Sequence, residues 1–436
     1  MEHLLNVIHS ARKVAEQAEV FFVSSQENPI YFEANRLKQI QTKESTSVSL
    51  RIFRDGKLGI STASGSNNME ALLDMAVETS EFGDPANFTF PSRMDYPDVN
   101  TFDPRVQKIT MEEMIEYGNQ VITRIKKYAP DILCDVEVTK GIDSIYIVNS
   151  QRGEANYTKS FFGLSVEGIL IQDTDMLFTG DSEDSCCLPV SPELIADRVV
   201  RQLELANEKA AVSTKLLPVI FTPRGVASTF LTPLALAFNG KVVLEGVSPL
   251  EGKLGEQVFD NNLNLWDDAA LAYRVGSSPC DDEGTPSQCT PLVERGVVAS
   301  FLYDLRTAAL ANTQSTGNCK RIGSGSPKPA MSSFVIEEGD ISFEAMVEDM
   351  KEGLIVEQLI GADQGNLIGG DFSGNVLLGY KVENGEVVGR IKDTMVSGNI
   401  YQVLKQSLGI GNKARWVDGI LRTPALYCTC LSVASK

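Results

Sequence analysis

The sequence predicts an α+β fold in which N-terminal helix and antiparallel-sheet units precede a β-rich C-terminal domain with a few helices. Three observations carry this. The order helix, antiparallel strands, helix occurs across residues 1–82 and again across 110–212. Asp55-Gly56 and Asn384-Gly385, dipeptides suited to tight hairpins, each separate two strand-like runs. From Leu217 onward glycines become frequent and short strands alternate with turns. At 436 residues the chain exceeds one ordinary core, so two or three domains are expected. The boundaries read as an N-terminal domain at 1–82, a linker at 83–109, a middle α+β domain at 110–212 and a C-terminal domain at 213–436.

In chain order, Leu4, Leu5, Ile8, Ala11, Val14 and Ala15 recur at helical spacing. Strands are expected at Val20–Ser24 and Ile30–Ala34, on either side of a Gln-Glu-Asn-Pro turn, and then on both sides of Asp55-Gly56. Asn67 or Asn68 caps a second helix with Leu72, Ala76 and Val77 inward. The stretch 83–109, holding Pro85, Pro91, Pro97 and Pro104, has no periodicity and reads as a connection. Thr110 with Glu113 forms a capping box for a helix that ends before Pro130. Strands follow at Cys134–Val138, Ser144–Val148, Phe161–Gln172 and Met176–Thr179, and Ser191-Pro192 opens a helix to about Ala211.

In the third part Val219-Ile220-Phe221 reads as a buried strand. Pro223 then suits the first turn of an apolar helix carrying Val226, Thr229, Phe230, Leu234 and Ala237, with Pro233 set to kink it and Asn239-Gly240 to end it. Glu294-Arg295-Gly296 reads as a further hairpin turn. Ser342 opens a helix to Lys351, and Asn399–Ser407 is another.

Composition narrows the function. The net charge is −19, from 58 acidic against 39 basic residues, and no Lys/Arg-rich stretch interrupts the chain, which argues against nucleic acid or anionic membrane as direct partners. No apolar run reaches the roughly 18–20 residues of a bilayer span, and Met1–Gln17 mixes acidic and basic residues unlike a signal peptide, so a cytoplasmic location is expected. The eight cysteines form no C-x-x-C pair and read as reduced thiols. The two histidines, His3 and His9, sit six apart on the first helix and share no face. A Ser-His-Asp triad, a Cys-His pair or an H-E-x-x-H zinc site would each need a histidine, and only this helix could supply one.

Four stretches could carry chemistry. Asp281-Asp282-Glu283-Gly284-Thr285-Pro286 is the densest acidic cluster, either a solvated turn or a site where one carboxylate orients a ligand. Thr316–Arg321 with Gly323–Pro327 is either a plain Gly/Ser loop or a cradle for an anion. Gly369–Asn375 either needs positive φ in a turn or lets a peptide backbone approach a strand edge. Cys428-Thr429-Cys430 lies in a terminal strand, where both thiols would face one side and pack. Asn261–Asp268 echoes a calcium loop but lacks its turn glycine and closing glutamate.

The series Asp282-Glu283-Gly284-Thr285-Pro286, Leu292-Val293-Glu294-Arg295-Gly296, Asp304, Ala308, Thr316-Gly317-Asn318 with Arg321, Gly370-Asp371-Phe372-Ser373 and Glu383-Asn384-Gly385 closely resembles the TldD/PmbA family, also labelled modulators of DNA gyrase. The resemblance implies a zinc metallopeptidase system whose catalytic subunit carries H-E-x-x-x-H on a helix that follows a strand and precedes the D-E-G-T-P motif. Here that helix reads STFLTPL over Ser228–Leu234, without ligand histidine or catalytic glutamate. Family zinc sites also take a cysteine near the C-terminus; Cys428 and Cys430 lie in that region, and Asp418 lies nearer the matching position.

The resemblance therefore points to the TldE/PmbA-like branch, a pseudoenzyme subunit that pairs with a TldD-like zinc subunit, as heterodimer or alternatively homodimer, in trimming unfolded peptides. It implies no catalytic residue and no metal in this chain, zinc in the partner, and a peptide groove drawn from Asp282, Glu283, Gly284, Thr285, Gly317, Asn318, Arg321, Gly370, Asp371, Phe372 and Ser373. The alternatives are a self-sufficient hydrolase using carboxylate, Ser or Thr chemistry, or a peptide-binding module without catalysis.

Overall fold

The computed structural model describes residues 2–65, 69–173, 175–321, 323, 325–406 and 408–435. Asn67, Asn68, Ser324 and Ser407, on which the sequence placed a cap, part of the Gly/Ser loop and a helix end, lie outside the described residues. The fold is α+β, as the sequence predicts.

Strands β1 (Gln17–Glu33), β2 (Arg36–Ile40), β3 (Lys43–Arg54), β4 (Lys57–Ser64), β5 (Leu133–Asn149), β6 (Glu154–Gln172) and β7 (Asp175–Ser185) form one antiparallel sheet in the order β4-β3-β1-β5-β6-β7, with β2 on the outer end of β1. Strands from the 1–82 and 110–212 stretches are thus neighbours: β1 pairs β5 from Glu19 opposite Asn149 to Phe32 opposite Val136.

The expected Gln-Glu-Asn-Pro turn is instead the middle of β1. Pro29 is tolerated there because its carbonyl accepts from Gln41 N, so its nitrogen faces the gap where pairing with β3 has ended and pairing with β2 has not begun; no ladder bond is lost. Residues 133–149 are likewise one strand and not two.

Helices α1 (Glu2–Ala11), α2 (Met69–Ser80), α4 (Met111–Tyr128) and α5 (Pro192–Leu205) cover one face of this sheet, and a short α3 (Pro104–Lys108) sits in the expected linker. Val20, Leu50 and Val148 pack under α1 and α2, while Phe32, Val136, Val138 and Val166 pack under α4 and α5. The shared parity of Val136, Val138 and Val148 along β5 places all four helices on one side. Helix α5 stops at Leu205, short of the expected Ala211.

The Thr110–Glu113 capping box is formed: Thr110 Oγ1 accepts from Glu113 N at 3.2 Å and Glu113 Oε2 accepts from Thr110 N at 2.8 Å. Thr110→Ala is expected to cost about 1 kcal/mol, read as a lower urea midpoint; an unchanged midpoint would show that tertiary packing alone sets this helix start.

The C-terminal part packs on the other sheet face through the turn at Cys280–Glu283, and against α5 through its strands. In that part β8 (Lys215–Phe221) lies between Glu352–Ile360 and Leu426–Ser435; Thr394–Asn399 and Asp371–Glu383 continue the sheet, and Asp371–Glu383 also pairs with Glu352–Ile360. Five strands therefore close a ring. A second, six-stranded sheet includes Leu265–Asp268 and Cys289–Glu294.

Helix α6 (Pro223–Ala237) follows β8, capped by Thr222, and buries Val226, Phe230 and Leu234 against Phe221 and Phe372. Asn239 caps a following short turn of helix, Gly240–Leu244, and does not itself end α6, whose last cap is Phe238. The hairpins at Asp55-Gly56, Arg295-Gly296 and Asn384-Gly385 form where the sequence places them. No helix among the described residues is long and apolar enough to cross a membrane.

Candidate functional site

The acidic turn folds around Asp281, whose carboxylate accepts from Glu283 N at 3.0 Å, Thr285 N at 2.9 Å and Cys319 N at 3.0 Å. Glu283 points away into the sheet, where Arg51 Nη1 donates to one oxygen and Leu305 N donates to the other at 2.8 Å. Arg51 also donates from Nε and Nη2 to Glu19, at 3.0 and 2.7 Å. Arg321 donates to Glu19 as well and reaches Ser49 Oγ at 3.1 Å, while its own N–H donates to Asp282 Oδ2 at 2.6 Å. The Arg51 guanidinium lies over Phe90 at 5.0 Å, and that of Arg321 over Phe21 at 4.9 Å.

Two acids and two bases, Glu19, Glu283, Arg51 and Arg321, thus share one water-excluded cluster that joins the N-terminal sheet to the C-terminal part. Burial pushes the Glu283 carboxyl upward, opposed by the adjacent Arg51 guanidinium.

Gly284 and Thr285 belong to the same acidic turn, and Gly317 and Asn318 to the loop that meets it. The Gly284 carbonyl accepts from the Tyr96 hydroxyl at 3.2 Å, and the buried Thr285 Oγ1 has no hydrogen-bond partner among the described residues. A Cβ on Gly317 would stand 2.6 Å from the Pro286 carbonyl, so this glycine lets the two loops meet. Asn318 is buried and donates to Asp267, whose own burial moves it up to about 6.

Gly370-Asp371-Phe372-Ser373 opens a strand of the ring, remote in sequence and pairing from the acidic turn. What approaches Gly370, at φ 78°, is the Tyr401 ring. Asp371 and Ser373 are exposed, whereas Phe372 points into the core, 6.3 Å from the Phe221 ring and 6.2 Å from Phe230. The structure does not bring these four residues to the Asp282–Arg321 cluster.

A cavity of about 770 Å³ opens elsewhere, between the sheet face that carries no helices and the start of α6. None of the groove candidates named from the sequence lines it. On the sheet side alternate residues in register, Asp135 opposite Glu167 and Glu137 opposite Ser165, with Asp184 opposite Gly163, present their side chains to one face. Across from them stand Arg224, Ala227 and Ser228 of α6, with Gln358 and Asp418. Burial, and next the neighbouring Asp418 charge, move the Asp184 carboxyl up to about 6.

Glu137, Glu167 and Asp184 carry no signal in the sequence, because a polar residue on a strand reads as part of an ordinary solvated face. Only Asp418 carried a signal, its position relative to the family's zinc cysteine.

The thiols differ from expectation. A bulge between Cys428 and Leu431 breaks the alternation, so Cys428 is buried and Cys430 exposed, on different sides. His3 and His9 are exposed on α1, which lies on the helix-covered face opposite the cavity. Among the described residues no group of three or more His, Cys, Asp or Glu side chains has a metal-holding arrangement.

Residues 214–435 match the family model of the PmbA/TldA metallopeptidase C-terminal domain, and residues 18–80 match PmbA/TldA metallopeptidase domain 1. An uncharacterized protein of Methanocaldococcus jannaschii is 27% identical over 419 residues, covering 94% of this chain and 95% of that protein. A metalloprotease of the same organism is 32% identical over 214 residues, 46% of this chain and 47% of its own length. The crystal structure of TldE from Thermococcus kodakarensis has the same fold, with a TM-score of 0.90 at 22% identity over 99% of this chain and 100% of that one. With one family model matching residues 214–435, more than half of the chain, and a second matching residues 18–80, the chain belongs to the TldD/PmbA family.

Proposed function

We propose that the protein is the TldE/PmbA-like member of a cytoplasmic TldD/TldE-type metallopeptidase complex, in which it supplies subunit interface and a groove for unfolded peptide while a TldD-like partner holds the zinc. The observation that carries this reading is what α6 turns toward the cavity. A zinc peptidase of this plan needs two histidines and a glutamate there, to bind the metal and take a proton from its water. This helix presents Arg224, Ala227 and Ser228, and commits Phe230 and Leu234 to the core.

In this reading the groove is the cavity, and the motif residues Asp282, Glu283 and Arg321 hold its two walls in place. The same burial weighs against a hydrolase working from the acidic turn. A general base must reach the proton it removes, and Glu283 has no exposed surface and both oxygens engaged.

Purified alone, the protein is expected to carry no stoichiometric zinc and to leave unfolded peptides uncut; mixed with a TldD-like zinc subunit, it should raise peptide cleavage. Stoichiometric zinc by metal analysis, with peptidase activity in a homogeneous preparation of this chain, would overturn the assignment.

A further inference from the structure

We propose that the cavity selects peptide segments carrying lysine or arginine side chains, whose cationic ends are received by Glu137, Asp184 and Asp418. The inference rests on the reading of the cavity as a peptide groove and names which peptides it takes.

The first argument is the charge balance on the wall. Asp181 is already paired, with Arg198 at 3.1 Å and Arg415 at 3.0 Å, and Glu27 has Lys43 at 3.8 Å. Among the described residues Asp135, Glu137, Glu167, Asp184 and Asp418 on the lining have no ion-pair partner, and Arg224 is the single cation there. A concave wall carrying one sign of charge concentrates its field in the space it encloses.

The second argument is that the carboxylates converge from both halves of the molecule. A Cβ on Gly419 would stand 3.0 Å from the Asp184 Cβ, so the loop that carries Asp418 is pressed against β7. Ser182 Oγ, one alternate position back on that strand, donates to Asp418 at 3.3 Å. Repulsion between these carboxylates opposes folding, and a bound cation would relieve it.

The third argument concerns the kind of cation. Among the described residues these carboxylates form no metal-holding group of three or more. A guanidinium or ammonium on a flexible stem has several donors and can serve separated acceptors. A cavity of about 770 Å³ also leaves room for the backbone on either side of such a residue.

The test uses the purified full-length chain and fluorescent decapeptides of Gly, Ser and Ala with both termini blocked, identical except for two central residues, which are Lys, Arg, Gln or Glu. Fluorescence anisotropy should show the Lys and Arg peptides binding about tenfold or more tightly than the Gln peptide, and the Glu peptide most weakly. The preference should shrink in 0.5 M NaCl and in Asp184→Asn/Asp418→Asn. Equal affinity for the Lys, Arg and Gln peptides would overturn the cationic selection while leaving the groove in place. Failure of every peptide to bind would overturn the groove reading, and the selection with it. Because the comparison among peptides is made on the unaltered protein, it stands even if the double variant folds poorly.

Discussion

Arg51→Met is expected to destabilise the protein by about 3–5 kcal/mol, because it removes the cation that compensates two fully buried carboxylates. Glu19 would keep only Arg321, and Glu283 would keep only the Leu305 N–H. Methionine fills much of the arginine's volume between Phe88 and Phe90, so the loss measures charge rather than a cavity. If that account is right, adding Glu283→Gln to Arg51→Met should recover part of the loss, since the second change removes a stranded charge. The two tryptophans, Trp266 and Trp416, both lie in the C-terminal part, so their fluorescence in urea reports that half while far-UV circular dichroism reports the whole chain. The two probes should separate in Arg51→Met if the cluster couples the halves. A wild-type midpoint by both probes would show that the cluster is not a clamp.

Phe372→Ala is expected to cost about 3–5 kcal/mol as well, through transfer and cavity terms together. Its ring is 3% exposed and forms a group with Phe221 and Phe230 where β8, α6 and the strand Asp371–Glu383 meet. Urea unfolding measures the loss, and the decapeptide assay, run well below the lowered midpoint, should show unchanged affinity. Intact stability with weakened peptide binding would return Phe372 to the groove, where the family motif first suggested placing it.

What was legible in the sequence was local. The caps at Thr110, Ser191, Ser342 and Asn399 and the hairpins at Asp55-Gly56 and Asn384-Gly385 are each decided by a few adjacent residues, and they form as written. What was not legible depends on partners far along the chain. Pro29 reads as a turn until the changeover of neighbours beside β1 is known, and nothing near Phe32 announces that it faces Val136.

The candidate site divides the same way. The D-E-G-T-P and T-G-N motifs identify the family, but composition cannot say which way a carboxylate points. Glu283 meets an arginine more than two hundred residues earlier, so a turn that looks solvated places a carboxylate as fully buried as Glu19. Asp184 and Glu137 carry no local mark at all. Their significance comes from strand register and from the loop at Asp418, neither of which a single strand displays.

The ring of strands in the C-terminal part also sets an order of events in time. In the N-terminal sheet β3-β4, β5-β6 and β6-β7 are hairpins that can zip as soon as their turns exist, whereas β8 pairs only with Glu352–Ile360 and Leu426–Ser435. Each of those pairings must meet the entropy of closing a very long loop before any ladder bond forms, so sealing the ring should be late and slow. Until then α6 has nowhere to hide Val226, Phe230 and Leu234. The half-closed ring, with open strand edges beside an apolar helix, is the species most exposed to aggregation during synthesis and refolding.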